Sequence, residues 1–596
     1  MIDPPSPRGK RPGARPETNA GKLLKPPRGA DPTLGRSAIR AARVVRLLPL
    51  WLLGLLAAVV AVPLFSGPFL LGHDGGFHLY NTCEYGDALA HGVVVAHRTP
   101  NFYGGLGGIN FKYYAPYAYL PASLLWLAGM PAYRALAAVA ALTFWLSGLG
   151  LYAWARLFLP RRAALISACA YLLASYHLQE LYFRFAYAEL WGFALAPWLF
   201  WAVTRALRAT SLRPCLGAAL LLAVLGLAHN LTAFMLAPFL FGYGLLLGRG
   251  SARAFGRLAL VFVLAGALGA FYALPAFCDR GDVLMSRQFR ETTSYRHAAL
   301  AISDLGRAPR AASPWKPTID GGLLVLGGLG ALVALRRRSR PATAGLPPRV
   351  AGGALGLGLC ALMLATSWGA WAADVVPLLR YVQFPWRFSL VASLFLAFLA
   401  GVTVLAPRHG RAGVWLACVV MAVTVGLVWL GLERSGPADL TDHPGTRAAY
   451  VRSLRAVLWS NDVESKYLPV WAADAVARRR ASSVRPEPPL PHRAVELRDH
   501  HTWIAFTVVP PEPAWTVVLP RLYVPGWTAE HAGGDIAIQP DPDTGLMRIV
   551  GRNVGPDVTL VYRGTLAYRA GRILSWAAAL FVLLAAATSL LRRSRT

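Results

Sequence analysis

The sequence predicts a polytopic α-helical membrane protein of about 12 transmembrane helices with a β-sandwich-like domain before the last helix. Three observations lead there. The chain has 596 residues, 55% apolar and 15% charged, with a mean hydropathy of +0.43, richer in apolar residues than a water-soluble chain of this length. Apolar runs of about 20 residues, the length that crosses a bilayer, recur along it. Between residues 503 and 562 they give way to short alternating segments separated by Pro and Gly.

The net charge of +31, from 60 Lys and Arg against 29 Asp and Glu, raises a nucleic-acid partner first. Fifty-four of the 60 are Arg, and they punctuate the apolar runs instead of forming one stripe. Orientation signals of a membrane protein are placed that way, and nucleic acid is set aside. Six cysteines with no CxxC pair exclude a disulfide scaffold and offer no zinc-like spacing.

Taken in order, residues 1–46 are rich in Pro, Gly and Arg and lack an apolar stretch, so they read as a disordered basic cytoplasmic tail whose eleven basic residues can touch anionic lipid. Leu47 to Phe65 is a signal anchor. Further spans are expected at 135–155, 163–178, 188–205, 214–229, 231–247, 258–277, 320–335, 350–369, 388–405, 414–432 and 573–591, twelve in all. Every second connection is basic, from Arg161 and Arg162 through Arg336 to Arg338 to the chain's end at Arg595. Tyr113 to Met130 is also apolar, but counting it as a span would flip every later loop, so it is assigned to a helix lying on the outer face. Both termini are then cytoplasmic. The outer side receives 66–131, 278–319 and 433–571, the last with strands expected at Trp503–Val509, Trp515–Leu519, Asp535–Gln539, Met547–Val550 and Val558–Tyr562. The domains are therefore 1–46, a transmembrane domain 47–432 with outer loop 66–131, an outer domain 433–571, and a final helix with basic end, 572–596. Residues 436–495 are not assigned.

The first outer loop opens His73-Asp74-Gly75-Gly76-Phe77-His78. An Asp just beyond a span sits at the bilayer rim, where a lipid-linked headgroup and a water-borne acceptor can meet, the position a general base needs. Asp followed by two Gly is equally a helix cap or turn.

The order of one span, a long outer loop opening on an acid, a surface helix, many spans and a terminal outer domain resembles the GT-C superfamily of polyprenol-phosphate-sugar glycosyltransferases. Asn110-Phe111-Lys112-Tyr113-Tyr114-Ala115-Pro116, Tyr182-Phe183-Arg184 with Glu189, His229-Asn230-Leu231-Thr232, Gln383-Phe384-Pro385-Trp386-Arg387-Phe388 and Lys466-Tyr467-Leu468-Pro469 resemble the bacterial membrane family named for its relation to 6-pyruvoyl-tetrahydropterin synthase. Tyr523-Val524-Pro525-Gly526-Trp527 and the strands after it resemble the outer domain of YfhO-like membrane proteins.

The resemblance implies an enzyme of GT-C type that moves a sugar from a polyprenyl-phosphate-linked donor to a glycan, lipid or protein acceptor of the cell envelope. Asp74 is its implied catalytic base, and Glu189 is carried onto an acidic position that in some members holds a metal ion or acceptor. Asp74 lacks a second acid beside it, which leaves a divalent ion optional; His73, His78 and Glu189 are the candidate ligands, and no cofactor is certain. Lys112 and Arg387 are candidates to hold the leaving phosphate, since Arg offers a bidentate fork. The loop of Arg280, Arg287, Arg290 and Arg296 is a further basic source. Arg184 and Glu189 either bind substrate or pair with one another. His229 either orients the acceptor or ends a helix. Trp515, Tyr523 and Trp527 stack on sugar or pack a core. Cys83 and Cys278 are the thiols on or near the outer side, and the sequence leaves their pairing open. The Arg-over-Lys bias suggests a GC-rich bacterial genome, and the resemblance implies a multi-pass protein of the bacterial inner membrane. The alternatives are a transporter or flippase of lipid-linked sugars, disfavoured because no internal repeat and few charges within spans are found, or a non-catalytic scaffold.

Overall fold

The computed structural model describes residues 32–65, 72, 74–114, 116–284, 299–301, 319–336, 346–382, 384–406, 410–435, 467–472, 493–530 and 533–593. The expected tail up to residue 31, most of 285–318 and most of 436–492 lie outside the described residues, as do His73, Arg287, Arg290, Arg296, Gln383 and Lys466.

The helices follow the apolar runs. They are α1 (Pro32–Ala61), α2 (Gly75–Ala90), α3 (Leu120–Leu127), α4 (Ala132–Ala155), α5 (Arg161–Leu172), α6 (Tyr187–Arg208), α7 (Arg213–Ala228), α8 (Asn230–Gly248), α9 (Ala252–Leu268), α10 (Ala270–Cys278), α11 (Gly321–Arg336), α12 (Pro348–Ala365), α13 (Phe388–Ala400), α14 (Gly410–Ser435) and α15 (Leu566–Arg593). Among the described residues, eight helices are long and apolar enough to cross a membrane, or nine if α9 and α10, bent by 77°, form one span. The expectation of twelve spans is thus met by helices at every position but not by twelve of spanning length.

The shortfall has local causes. The run expected as a span at 163–178 is a 12-residue helix, α5, because Ala174 turns extended (ψ 134°) and the Asp320 carboxylate caps a new turn at the Ser175 N–H, 2.8 Å away. Asp320 also accepts from the Leu323 N–H (2.9 Å) and so fixes the start of α11, which like α7 is 16 residues long. The segment 113–130 breaks into three short turns of helix, of which α3 has eight residues, and does not span.

Burial sorts the helices. Every residue of α13 is buried, and its span, Pro385–Leu405, is 89% buried, so it is the central post of the bundle; a helix apolar on all sides belongs inside. Gly330 of α11 lies so close to the Leu399 carbonyl that any Cβ there would collide with it, which is how α11 approaches α13. By contrast α14 and α15 are 17% buried, with Trp415, Trp429, Trp576 and Phe581 turned outward as lipid-facing surface.

The β-domain has seven strands: β1 (Arg493–Asp499), β2 (Trp503–Val509), β3 (Ala514–Leu522), β4 (Trp527–Glu530), β5 (Asp535–Pro540), β6 (Leu546–Arg552) and β7 (Asp557–Tyr562). They form two antiparallel sheets, ordered β1-β2-β7-β4 and β3-β6-β5. Alternate residues Ile504, Phe506 and Val508, Trp515, Val517 and Leu519, Met547 and Ile549, and Val558 and Leu560 face one core. The five expected strands are present. β1, charged and at an edge, and the four-residue β4 are additions. Trp515 and Trp527 are buried core residues, while Tyr523 is half-buried.

This core is not the β-domain's alone. Ile109 and Tyr113 of the first long loop, with Val283 and Tyr467, belong to the same cluster. The Leu522 N–H donates to the Leu106 carbonyl at 2.8 Å, and Arg98 binds Asp499 (3.3 Å) and the His500 carbonyl (2.7 Å). The loop that carries Asp74 is thereby fastened to the β-domain.

Candidate active site

Between α5 and α6 the chain makes a helical turn, Ser175–Gln179, then a π-helical turn, Glu180–Arg184, and then passes through Phe185 in the left-handed region (φ 50°). A π turn inside helical structure is uncommon and concentrates at functional sites. Here it brings Glu180, Arg184 and, from the first turn of α6, Glu189 into one buried group.

Arg184 is the hub. Its Nη1 donates to Glu180 Oε1 and Oε2 at 2.8 and 2.9 Å and lies 3.6 Å from Glu189 Oε2. Its Nη2 donates to Asp74 Oδ2 at 3.0 Å. Arg387 arrives from the turn before α13, its Nε 3.2 Å from Glu189 Oε2, and the Tyr176 hydroxyl donates to Glu189 Oε1 at 2.7 Å. Both guanidinium groups lie over the Phe384 ring, at 5.8 and 5.2 Å. Burial pushes the Glu180 carboxyl above its ordinary value, and the Arg184 guanidinium opposes this. Three acids face two arginines, so the group carries one negative charge in excess when all are ionised.

Asp74 stands at the N-terminal end of α2, but its side chain caps nothing there and is directed to Arg184. Its backbone N–H donates to the Arg184 carbonyl at 2.8 Å. This pairing needs Gly72, since a Cβ there would run into the Phe183 carbonyl. Side-chain exposure is 21% for Asp74 against 11%, 6%, 0% and 1% for Arg387, Arg184, Glu180 and Glu189, so Asp74 is the member most open to solvent.

The other expected site residues go elsewhere. Lys112 is buried, its Nζ 2.7 Å from Asp279 and 3.8 Å from Asp282. His229 heads α8 and its Nδ1 meets the Thr232 hydroxyl at 2.6 Å, a helix-end contact, while Asn230 reaches the Tyr113 carbonyl and the Tyr272 hydroxyl. His78 is buried against Tyr119 (2.8 Å to its hydroxyl) among the rings of Phe77, Tyr114 and Tyr187. Among the described residues, neither His78 nor Glu189 belongs to a three-donor group spaced for a metal ion. Arg184 fills the place between Asp74, Glu180 and Glu189 that a cation would take, so these residues as arranged do not fit one. Arg280 is half-buried and donates to the Phe277 carbonyl. Cys83 is buried and Cys278 exposed, both with free thiols.

Sequence reasoning missed Glu180. Its signal was the four-residue spacing to Arg184, which places two side chains on one helical face.

Solved structures to which this chain is similar include the arabinofuranosyltransferase AftD from Mycobacteria (17% identity, TM-score 0.42, covering 66% of this chain and 28% of that one). Another is the Archaeoglobus fulgidus oligosaccharyltransferase AglB in complex with an inhibitory peptide and a dolichol-phosphate (14%, 0.43, 72% and 63%). A third is ArnT from Cupriavidus metallidurans bound to undecaprenyl phosphate (17%, 0.37, 76% and 83%). This chain thus spans less than two thirds of the first two. No family model and no curated protein matches the chain, so the bacterial family resemblances rest on their motifs.

Proposed function

We propose that the protein is a membrane glycosyltransferase of GT-C type, working at the outer face of a bacterial inner membrane with both termini cytoplasmic, that moves a sugar from a polyprenyl-phosphate carrier to an envelope acceptor. The observation that carries this is the Asp74–Arg184–Glu180–Glu189–Arg387 group. Charges buried in the body of a membrane protein are costly, and when they converge from separate segments with one carboxylate left at the rim, chemistry is the default reading.

In the proposed reaction Asp74 takes the proton of an acceptor hydroxyl as that oxygen attacks the anomeric carbon, and the bond to the lipid phosphate breaks on the opposite face. Arg387 receives the departing phosphate, its planar fork matching the phosphate oxygens, while Arg184 orients Asp74. Glu180 and Glu189 hold those arginines in place until the phosphate arrives. The β-domain, fastened to the loop of Asp74, covers the site or holds the acceptor.

The test is Asp74→Asn in the purified, folded full chain, comparing sugar transfer from a panel of radiolabelled polyprenyl-phosphate sugars with binding of the same donors. Loss of transfer of 100-fold or more, about 2.7 kcal/mol, with donor binding retained is expected. Transfer by Asp74→Asn at the wild-type rate would remove the base from this mechanism.

A further inference from the structure

At the far end of α2 from Asp74, a second constellation joins the first long loop to the β-domain. Asp87 lies in the last turn of α2, His91 caps that helix's C-terminal end four residues on, and His501 comes from the turn between β1 and β2. His501 Nε2 lies 3.1 Å from Asp87 Oδ2, and His91 Nδ1 lies 3.8 Å from Asp87 Oδ1. One ligand atom from each of the three falls within 4.8 Å of the others. Tetrahedral ligands at about 2.0–2.1 Å from a zinc ion stand roughly 3.4 Å apart. Closing the set therefore asks for a shift of up to about 1.4 Å, available to His91, whose side chain is 41% exposed and whose Nδ1 would leave the Asp87 carbonyl it meets at 2.8 Å, while Asp87 and His501 are held by burial.

An Asp–His pair alone would satisfy two of these groups, but two further facts point to a ligand. A third donor stands beside the pair, and the buried His501 makes no hydrogen bond at its Nδ1, so no contact there fixes which ring nitrogen carries the proton and the Nε2 that faces Asp87 can present its lone pair. Two imidazoles and one carboxylate suit zinc and its neighbours rather than magnesium or calcium, which take oxygen ligands. The joint stands without an ion through Arg98, Asp499 and Arg521, so binding would tighten a contact already made. Thirteen residues of helix, about 20 Å, separate Asp87 from Asp74, so this is no part of the transfer site.

We infer that Asp87, His91 and His501 bind one divalent transition-metal ion of the zinc type, with the fourth position open to solvent beside His91, and that the ion clamps the first long loop to the β-domain. The inference is independent of the transferase reading.

The test uses the full chain in detergent, purified without a polyhistidine tag, stripped with a chelator, reloaded with Zn2+ and passed through gel filtration before metal analysis. Wild type is expected to keep about one equivalent, to show the intense visible bands of tetrahedral cobalt when loaded with Co2+, and to unfold at a higher temperature with Zn2+. His501→Ala and His91→Ala are expected to lose at least 80% of the bound metal, the bands and the shift. His91 is exposed, so its variant folds and decides the matter should His501→Ala fail to fold. Less than about 0.2 equivalents on wild type, or undiminished binding in His91→Ala, overturns the proposal.

Discussion

Lys112→Met separates the two roles open to Lys112. In the structure its ammonium, 2% exposed, faces Asp279 at 2.7 Å and Asp282 at 3.8 Å, whose side chains are 15% and 26% exposed. At an effective dielectric of about 20 the two attractions amount to roughly 6 and 4 kcal/mol. Desolvation of all three ions consumes much of that, and removing one partner of a buried pair typically costs about 3–5 kcal/mol, because the remaining charge is stranded. Burial already raises the Asp282 carboxyl; Lys112 opposes that rise and Asp279 adds to it. Lys112→Met should therefore destabilise the protein by about 3–5 kcal/mol, and Lys112→Met/Asp279→Asn should regain at least half, because the strongest uncompensated charge goes with its partner. The assay is denaturant unfolding in detergent followed by the fluorescence of the 19 tryptophans, alongside sugar transfer. If the double variant is stable and transfers sugar, Lys112 is a strut. A Lys112→Met protein within about 1 kcal/mol of wild type refutes the ion-pair argument, and a stable double variant without transfer returns Lys112 to the phosphate.

Arg387→Lys keeps the charge beside Glu189 but loses the planar fork; donor binding should weaken about tenfold, roughly 1.4 kcal/mol, at unchanged stability, and undiminished affinity would exclude Arg387 from the phosphate. His97 is held near pKa 3 instead of 6.5, chiefly by burial and then by the cations Lys112 and Arg572. Since its folded pKa is depressed, the unfolded chain takes up a proton first as pH falls through 6.5, and stability drains by about 1.6 kcal/mol between pH 6.5 and 5.0. His97→Leu should lose that much less over the same interval, and equal slopes for the two proteins would contradict it. Gly551→Ala would drive a methyl into the Trp515 ring on the paired strand; a loss of about 1–3 kcal/mol is expected in thermal unfolding, and none would mean that the Trp515 ring does not lie across Gly551 in the β3–β6 pair.

How much of this was legible in the sequence depends on distance along the chain. Apolar length placed a helix at every expected position, and two-residue alternation placed five strands, because both are local patterns. The break at Ala174 was not legible, since Asp320, far downstream, caps the turn that follows it. Arg184 and Glu189 were read as binding substrate or pairing with one another and do lie close, but the larger part of the Arg184 interaction goes to Glu180, four residues away, and to Asp74, whose approach through a π turn nothing in the sequence announces. Lys112 read as an available cation because Asp279 and Asp282 are distant in sequence. The outer domain read as self-contained, whereas its core includes Ile109 and Tyr113.

That shared core sets an order of events during synthesis. Ile109 and Ile504 lie 504 − 109 = 395 residues apart, so at about 5–20 residues per second the ribosome needs roughly 20–80 s after the first emerges before the second exists. For that interval the nascent chain carries Ile109 and Tyr113 without the strands that cover them. A stop codon anywhere before β2 would make the exposure permanent, leaving a sticky loop for chaperones and proteases to find.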